Sequence, residues 1–375
     1  MRTVIYVSGS RSDFGLMKNW LIWLNKDSRL RVVIAVTGTH LSKIHGASSL
    51  REIEKSGLKI VCKIPVLDTS KTNKNVLKCI SKFLVKFSLC VSIIKPHFIL
   101  VEGDRWESFA AALTGVVLNI PVAHISGGDV SKSVDDAFRH SITKMAHLHF
   151  PGTELSAERI KKMGEEQWRI KMIGTPINSS FRDYKTAELE SKLNLPLKQF
   201  FIVLQHPVSS QVEKAGEQMR ITLKAVLSFK KSTIIIYPNG DPGSEAMIRE
   251  IEAVKRLHFV RVVKHIESDM FMSLLKKASV LIGNSSAGIV EALYFKLPVV
   301  NIGTRQLQRE VGNNVISVDH SVNAIKDAIK KAISSDFRKK IKKEPYIYTE
   351  HPKELLDALT KIPINQRLLE KRMSY

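Results

Sequence analysis

Asp104 and Arg105 follow an apolar, strand-like run in Glu102-Gly103-Asp104-Arg105, and Ser285 and Ser286 do the same in Ile282-Gly283-Asn284-Ser285-Ser286-Ala287-Gly288. A carboxylate beside a guanidinium suits acid–base chemistry. Glycines and hydroxyls at the mouth of a helix suit phosphate, because unpaired backbone N–H groups there point at the anion. Ligands of open α/β sheets gather outside the carboxyl ends of the strands, so the two segments predict a cleft-bound, phosphate-bearing small-molecule substrate.

Other groups with chemical potential stand at similar junctions. His124-Ile125-Ser126-Gly127-Gly128-Asp129 ends a strand-like run, and Asp135, Asp136, Arg139 and His140 follow on a helix-like one. Asp136, Arg139 and His140 are spaced i, i+3, i+4, so a carboxylate and an arginine share the histidine's face and can set its orientation and pKa. His147 and His149 are too few to hold a metal and read as core or edge histidines. Arg11, in Gly9-Ser10-Arg11, is a forked donor for phosphate oxygens or else a surface residue beside a helix cap. Asp104 carries the same ambiguity: a catalytic carboxylate, or a cap with Arg105 paired to Glu102 or Glu107. In the second half, Gln205-His206-Pro207 and Tyr237-Pro238-Asn239-Gly240-Asp241 end strands, the latter before a helix carrying Arg249. Glu291 falls one turn into the helix opened by Gly283 to Gly288, placed to accept from ribose hydroxyls or to serve as an ordinary cap.

Val- and Ile-rich runs that alternate with helix-period segments must position these residues. The first series is Thr3–Val7, Arg31–Thr37, Phe98–Val101, Val122–Ile125 and Ile170–Ile173. The second is Phe201–Leu204, Thr233–Tyr237, Phe259–Val263, Val280–Ile282, Val299–Ile302 and Val315–Val318. Such alternation predicts parallel strands with crossover helices, and its restart predicts an α/β chain of two Rossmann-like, doubly wound domains. Boundaries are expected at 1–175, 176–350 and a helical tail at 351–375, with Gly174 to Ser180 as the hinge.

A length of 375 residues suits two cores, and no apolar stretch is long enough for a signal peptide or a membrane span, so a cytoplasmic protein is expected. Cys62, Cys79 and Cys90 are odd in number and lack C-x-x-C spacing, which indicates neither a disulfide framework nor a zinc knuckle. The net charge of +22 raises nucleic-acid binding, but the lysines are spread along the chain without interleaved aromatics, and solvated helix faces explain them better. The basic amphipathic stretch Lys78 to Ile94 has a membrane-surface reading, though without stable insertion.

Taken together the segments resemble the UDP-N-acetylglucosamine 2-epimerase family, in particular its hydrolysing branch. The matching stretches include Gly103-Asp104-Arg105, Asp135-Asp136 with Arg139 to Lys144, Leu204-Gln205-His206-Pro207, Pro238-Asn239, Ile282 to Ser286 and Asn301 to Gln306. The resemblance implies a glycosyltransferase-B-like fold, a homodimer, a UDP-sugar substrate and neither metal nor redox cofactor. It implies that His206, Asn239, Arg249, Ser285, Ser286, Glu291 and Arg305 contact UDP, with Arg11 and Arg105 reaching in from the first domain. Asp104 is then a catalytic carboxylate, with Asp135 and His140 nearby. Many members place a glutamate or histidine where this chain has Ser126. Serine is a poor base, so either Asp129, Asp104 or Asp135 takes that duty or the chain is slower or altered in substrate. The reaction implied is elimination of UDP to a glycal, then hydration with inversion at C2 to release N-acetylmannosamine for sialic-acid-type synthesis. The same mechanism on a UDP-2,4-diacetamido-trideoxyhexose and a glycosyltransferase of the same architecture are the alternatives.

Overall fold

Strands buried on both faces need β-branched residues at every position rather than alternate ones, and Val4, Ile5, Tyr6 and Val7 are all shielded from solvent. In the computed structural model, residues 1–42, 46–66, 73–130, 134–177, 181–306, 309–343 and 350–372 are described. The first series of elements runs β1 (Arg2–Ser8), α1 (Arg11–Asn25), β2 (Leu30–Val36), α2 (Gly46–Lys55), β3 (Lys59–Lys63), α3 (Asn73–Ile94), β4 (Phe98–Glu102) and α4 (Trp106–Val117). It continues through β5 (Val122–Ile125), α5 (Val134–Met145), β6 (Leu148–Phe150) and α6 (Glu154–Lys162). The second comprises α7 (Thr186–Leu193), β7 (Phe201–Leu204), α8 (Ala215–Leu227), β8 (Thr233–Ile236), α9 (Ser244–Val254), β9 (Val260–Val263) and α10 (Ser268–Lys277). After these come β10 (Val280–Gly283), α11 (Glu291–Tyr294), β11 (Val299–Ile302), β12 (Val315–Val318), α12 (Val322–Ile333) and α13 (Ser335–Lys342), then α14 (Pro352–Lys361) and α15 (Gln366–Leu369).

Two six-stranded parallel sheets result, ordered β3-β2-β1-β4-β5-β6 and β12-β11-β10-β7-β8-β9. Both are doubly wound, with the chain reversing its direction of travel across the sheet between β1 and β4 and between β7 and β10. The compact unit around the first sheet holds Met1–Val130, Val134–Asn178 and Tyr348–Tyr375, and the unit around the second holds Ser179–Ile347. In the first unit, Phe14, Met17, Trp20 and Leu21 of α1 pack on one sheet face together with Leu355, Leu356, Leu359 and Leu368 from the end of the chain. Phe83 and Phe87 of α3, Ala110 and Ala111 of α4 and Ile142 of α5 fill the other face. The C-terminal residues thus complete the first core. Glu350 fastens them by accepting from Trp20 Nε1 and Ile177 N, both at 3.2 Å.

Several expectations change. Ile170–Ile173 is not a strand: only Ile170 bridges to His149, and the first sheet gains β3 and β6 instead. The tail is two helices rather than one, because Pro363 has no N–H to continue α14. Cys62 on β3 and Cys90 on α3 are disulfide-paired while Cys79 is buried outside the disulfide, which sequence spacing did not indicate since a sheet edge and its covering helix bring the pair together. Gly283 to Gly288 does not open one continuous helix. A 3-10 turn, Ser286–Gly288, comes first, and the four-residue α11 begins only at Glu291. Of the expected hinge, Asn178, Ser179 and Ser180 lie outside the described residues. Among the described residues, no helix is long and apolar enough to cross a membrane.

Candidate active site

In the first unit, polar side chains gather at the carboxyl tips of β1, β4 and β5. Ser10 caps α1 in a reciprocal box with Asp13, whose carboxylate also receives the N–H groups of Gly9 and Ser10 at 3.0 and 2.7 Å. Ser8 bonds Asp13 and lies 2.8 Å from His40 Nε2, while His40 Nδ1 bonds Ser49. Arg11 is the first residue of α1 and half-buried. Arg105, just ahead of α4, donates to Glu107 at 3.1 and 3.2 Å. Burial pushes the Glu107 carboxyl up, and the Arg105 guanidinium opposes that shift. Glu107 fills the space beside Gly9, where a Cβ would stand 2.6 Å from its side chain, so glycine is required for this carboxylate to lie against the β1 tip.

Asp104 occupies the tip of β4 and pairs with Arg139 of α5. The guanidinium is only 3% exposed and also donates to Asp136 at 2.7 Å and to the Asp129 carbonyl at 3.0 Å. Asp129 accepts a 2.6 Å bond from Ser156 Oγ through its carboxylate. His124, fully buried in β5, lies 2.8 Å from the Gly103 carbonyl through Nε2 and so steadies the turn that presents Asp104. Burial lowers its pKa to about 3, leaving a neutral ring. His140, one residue beyond Arg139, is half-buried with its Nδ1 unpartnered, and burial lowers its pKa as well. Asp135 stands half-buried in the first turn of α5. Ser126 adopts φ of +60°, a left-handed conformation uncommon for a residue with a side chain, at the tip of β5.

In the second unit, β10 passes β7 so closely that a Cβ on Gly283, at φ +138°, would stand 2.1 Å from the Leu204 carbonyl. The next residue, Asn284, is 1% exposed and clamps the loop after β7, accepting from His206 N at 2.7 Å and donating to His206 O at 2.9 Å. His206 Nδ1 accepts from Asn239 N at 3.0 Å, and Arg305 and Gln306 donate to the Asn284 carbonyl at 3.2 and 2.8 Å. Asn239 also bonds Asp241 through its side chain. Ser285 caps the 3-10 turn that begins at Ser286. Burial raises the Glu291 pKa and Arg309 opposes that shift, so Glu291 is a sheltered carboxyl at the start of α11. His206, Asn239, Ser285 and Arg305 therefore belong to one constellation, held by Asn284. Arg249 is exposed on α9, and among the described residues no hydrogen bond or ion pair joins it to that group.

Sequence reasoning placed Arg139 beside Asp136 and His140 but missed its bond to Asp104, which no spacing announces. It offered Glu107 as one surface partner of Arg105, where the structure buries that pair, and it passed over Asn284 as the clamp. The Gly-Asn-Ser-Ser string was the available signal for Asn284. Among the described residues, no group of three His, Cys, Asp or Glu side chains is arranged to hold a metal ion.

Comparison with known proteins adds the family. A sequence profile described as UDP-N-acetylglucosamine 2-epimerase matches residues 23–360. The UDP-N,N'-diacetylbacillosamine 2-epimerase (hydrolyzing) of Legionella pneumophila is 33% identical over 100% of both chains. The UDP-N-acetylglucosamine 2-epimerase of Neisseria meningitidis serogroup B is 31% identical over 89% of this chain and 88% of its own. Among solved structures, the S. aureus MnaA-UDP co-structure superposes with TM-score 0.77 at 16% identity, covering 96% of each chain, and shares the glycosyltransferase-B-like fold. With its profile matched over nine-tenths of its length, the chain belongs to the UDP-N-acetylglucosamine 2-epimerase family.

Proposed function

We propose that this protein is a hydrolysing UDP-N-acetylglucosamine 2-epimerase, converting UDP-N-acetylglucosamine and water into UDP and N-acetylmannosamine. The C2 proton of the sugar is barely acidic, but it becomes removable as the anomeric C–O bond to UDP breaks and positive charge develops at C1. Asp104 takes that proton and leaves a glycal. Water then adds at C1 while a proton returns to C2 from the opposite face. The observation that carries this reading is the Asp104 carboxylate at the tip of β4, held by the buried Arg139 with the half-buried His140 next along α5. The pairing with arginine aims the carboxylate, and a histidine whose pKa burial lowers, with an unpartnered ring nitrogen, is fit to carry the second proton. Asp129 and Asp135 support the same region. His206, Asn239, Ser285, Ser286, Glu291 and Arg305 are assigned to UDP, with Arg11 and Arg105 stabilising the departing diphosphate. Arg249 is retained as a UDP contact only through the family resemblance.

The Legionella relative's name favours a second substrate for the same chemistry, a UDP-2,4-diacetamido-2,4,6-trideoxyhexose. Purified protein incubated with each nucleotide sugar in deuterated water distinguishes them by NMR. The expected products are UDP and a free C2-inverted sugar carrying deuterium at C2. UDP still attached to the product rejects hydrolysis, and release only in the presence of an acceptor favours a glycosyltransferase.

A homodimer completes the proposal. Leu77, Val85, Leu89 and Ile93 of α3 are each more than 60% exposed, the last three on one face, and Val117 at the end of α4 is 68% exposed. Exposed apolar surface of this extent marks an interaction site. Light scattering is expected to give twice the chain mass, reduced to one by Leu89→Glu.

A further inference from the structure

The last four carbonyls of an α-helix lack partners within it. At the end of α5, those of Thr143 and Lys144 accept from Lys371 Nζ at 3.3 and 2.7 Å, more than two hundred residues along the chain. The same ammonium lies 2.7 Å from Glu165, a carboxylate 1% exposed. Glu165 also receives Lys144 Nζ at 2.6 Å and His149 Nε2 at 3.0 Å. Arg169, fully buried, secures this stretch of chain by donating to the carbonyls of Arg367, Leu368 and Glu370 at 2.8, 2.8 and 3.1 Å, and to that of His147 at 3.2 Å. Trp168 adds a surface over which the Arg367 guanidinium stacks, 4.9 Å from the ring centroid.

We propose that Lys371, seated on Glu165, is a positioning residue for the reaction: it caps α5 from the end of the chain and so fixes the setting of Arg139 and, through it, of Asp104. This inference rests on the proposed epimerase reaction. A cation at a helix carboxyl terminus is favoured by the unpaired carbonyls and the helix dipole. Placing one here is costly, since Lys144, Arg169, His147 and His149 also face it and only Glu165 is acidic. Burial, opposed by Glu165, lowers the Lys371 pKa to about 8. Folding therefore favours the neutral amine. Losing this proton between about 8 and its ordinary value of 10.5 adds stability while it weakens the grip on α5. Turnover and stability are thus expected to move in opposite directions as pH rises, which a purely structural lysine would not produce.

The test compares full-length protein with Lys371→Met and Lys371→Arg. Lys371→Met is expected to lower kcat by about 10- to 100-fold, with KM for the nucleotide sugar and calorimetric UDP affinity changed less than about two-fold. Amide exchange in the last turn of α5 should accelerate. Lys371→Arg should recover most of kcat and move the alkaline limb of the kcat profile, centred near 8 in the parent, upward by at least a unit. Unchanged kcat, unchanged exchange in α5, or a loss that arginine does not recover overturns the proposal. If Lys371→Met fails to fold, the pH profile of Lys371→Arg decides, and an unmoved limb overturns it. A parent protein that turns over none of the nucleotide sugars sinks the proposed function instead, and α5 exchange still judges the cap.

Discussion

Asp104 and Asn284 stand for two kinds of residue in the proposed reaction, one assigned to exchange a proton and one that holds others in place. Asp104→Asn keeps the shape and leaves Asp136 to balance Arg139. Circular dichroism and UDP affinity should therefore stay at parental values while kcat falls by about 100-fold or more, the usual worth of a positioned base. Unchanged turnover would return Asp104 to the role of helix cap. Asn284→Ala removes both bonds to the His206 backbone inside a buried loop. Denaturant titration should show a loss of about 2 kcal/mol, and UDP affinity should fall with it because the His206 loop loses its anchor. The glycine, charge and hydroxyl content of these segments was readable as chemistry. Their partners were not, because Arg139 finds Asp104 through the pairing of β4 with β5 and the return of α5, neither of which is a local property.

Within the second sheet, a glycine at a defined place lets neighbouring strands approach closely. Gly283→Ala would drive a methyl into the Leu204 carbonyl at a backbone angle alanine resists, so β10 and β7 must separate. We expect a loss of several kcal/mol in chemical denaturation, exceeding that of Gly57→Ala, a glycine also at positive φ but with open space about it. Strands with unbroken Val and Ile runs were legible because burial on both faces writes itself into every residue. The edge strands β3 and β6 were not. β3, Lys-Ile-Val-Cys-Lys, is short and half-covered, and β6, Leu-His-Phe, is three residues long. Gly283 to Gly288 was over-read as a helix start: Ile289 and Val290 follow, and Gly288 packs on Val299 where a longer helix would have begun.

Across the whole molecule, buried histidines set the response to acid. Burial lowers His40 and His124 to about 3 from an ordinary 6.5, so the unfolded chain binds their protons first and stability falls as pH drops from about 6.5 toward 3. Burial of Glu165 tends to raise its pKa, but the bonds from His149, Lys144 and Lys371 outweigh that and hold it at about 2. Its contribution, present above the ordinary carboxylate value of 4.5, is lost as pH falls toward 2. Urea midpoints measured across pH should therefore decline below about 6.5 and steepen below 4.5. Midpoints that stay level to pH 4 would show these rings accessible to solvent.

From its sequence alone this chain could be read as two doubly wound α/β halves, with phosphate-binding and acid–base residues at the ends of particular strands, because strand burial and glycine turns are short-range properties that leave periodic traces. What joined Asp104 to Arg139, Asn284 to His206 and Lys371 to the end of α5 was the order in which the strands pair. Contacts between residues tens to hundreds of positions apart depend on where the crossovers return, and no local pattern of residues records that.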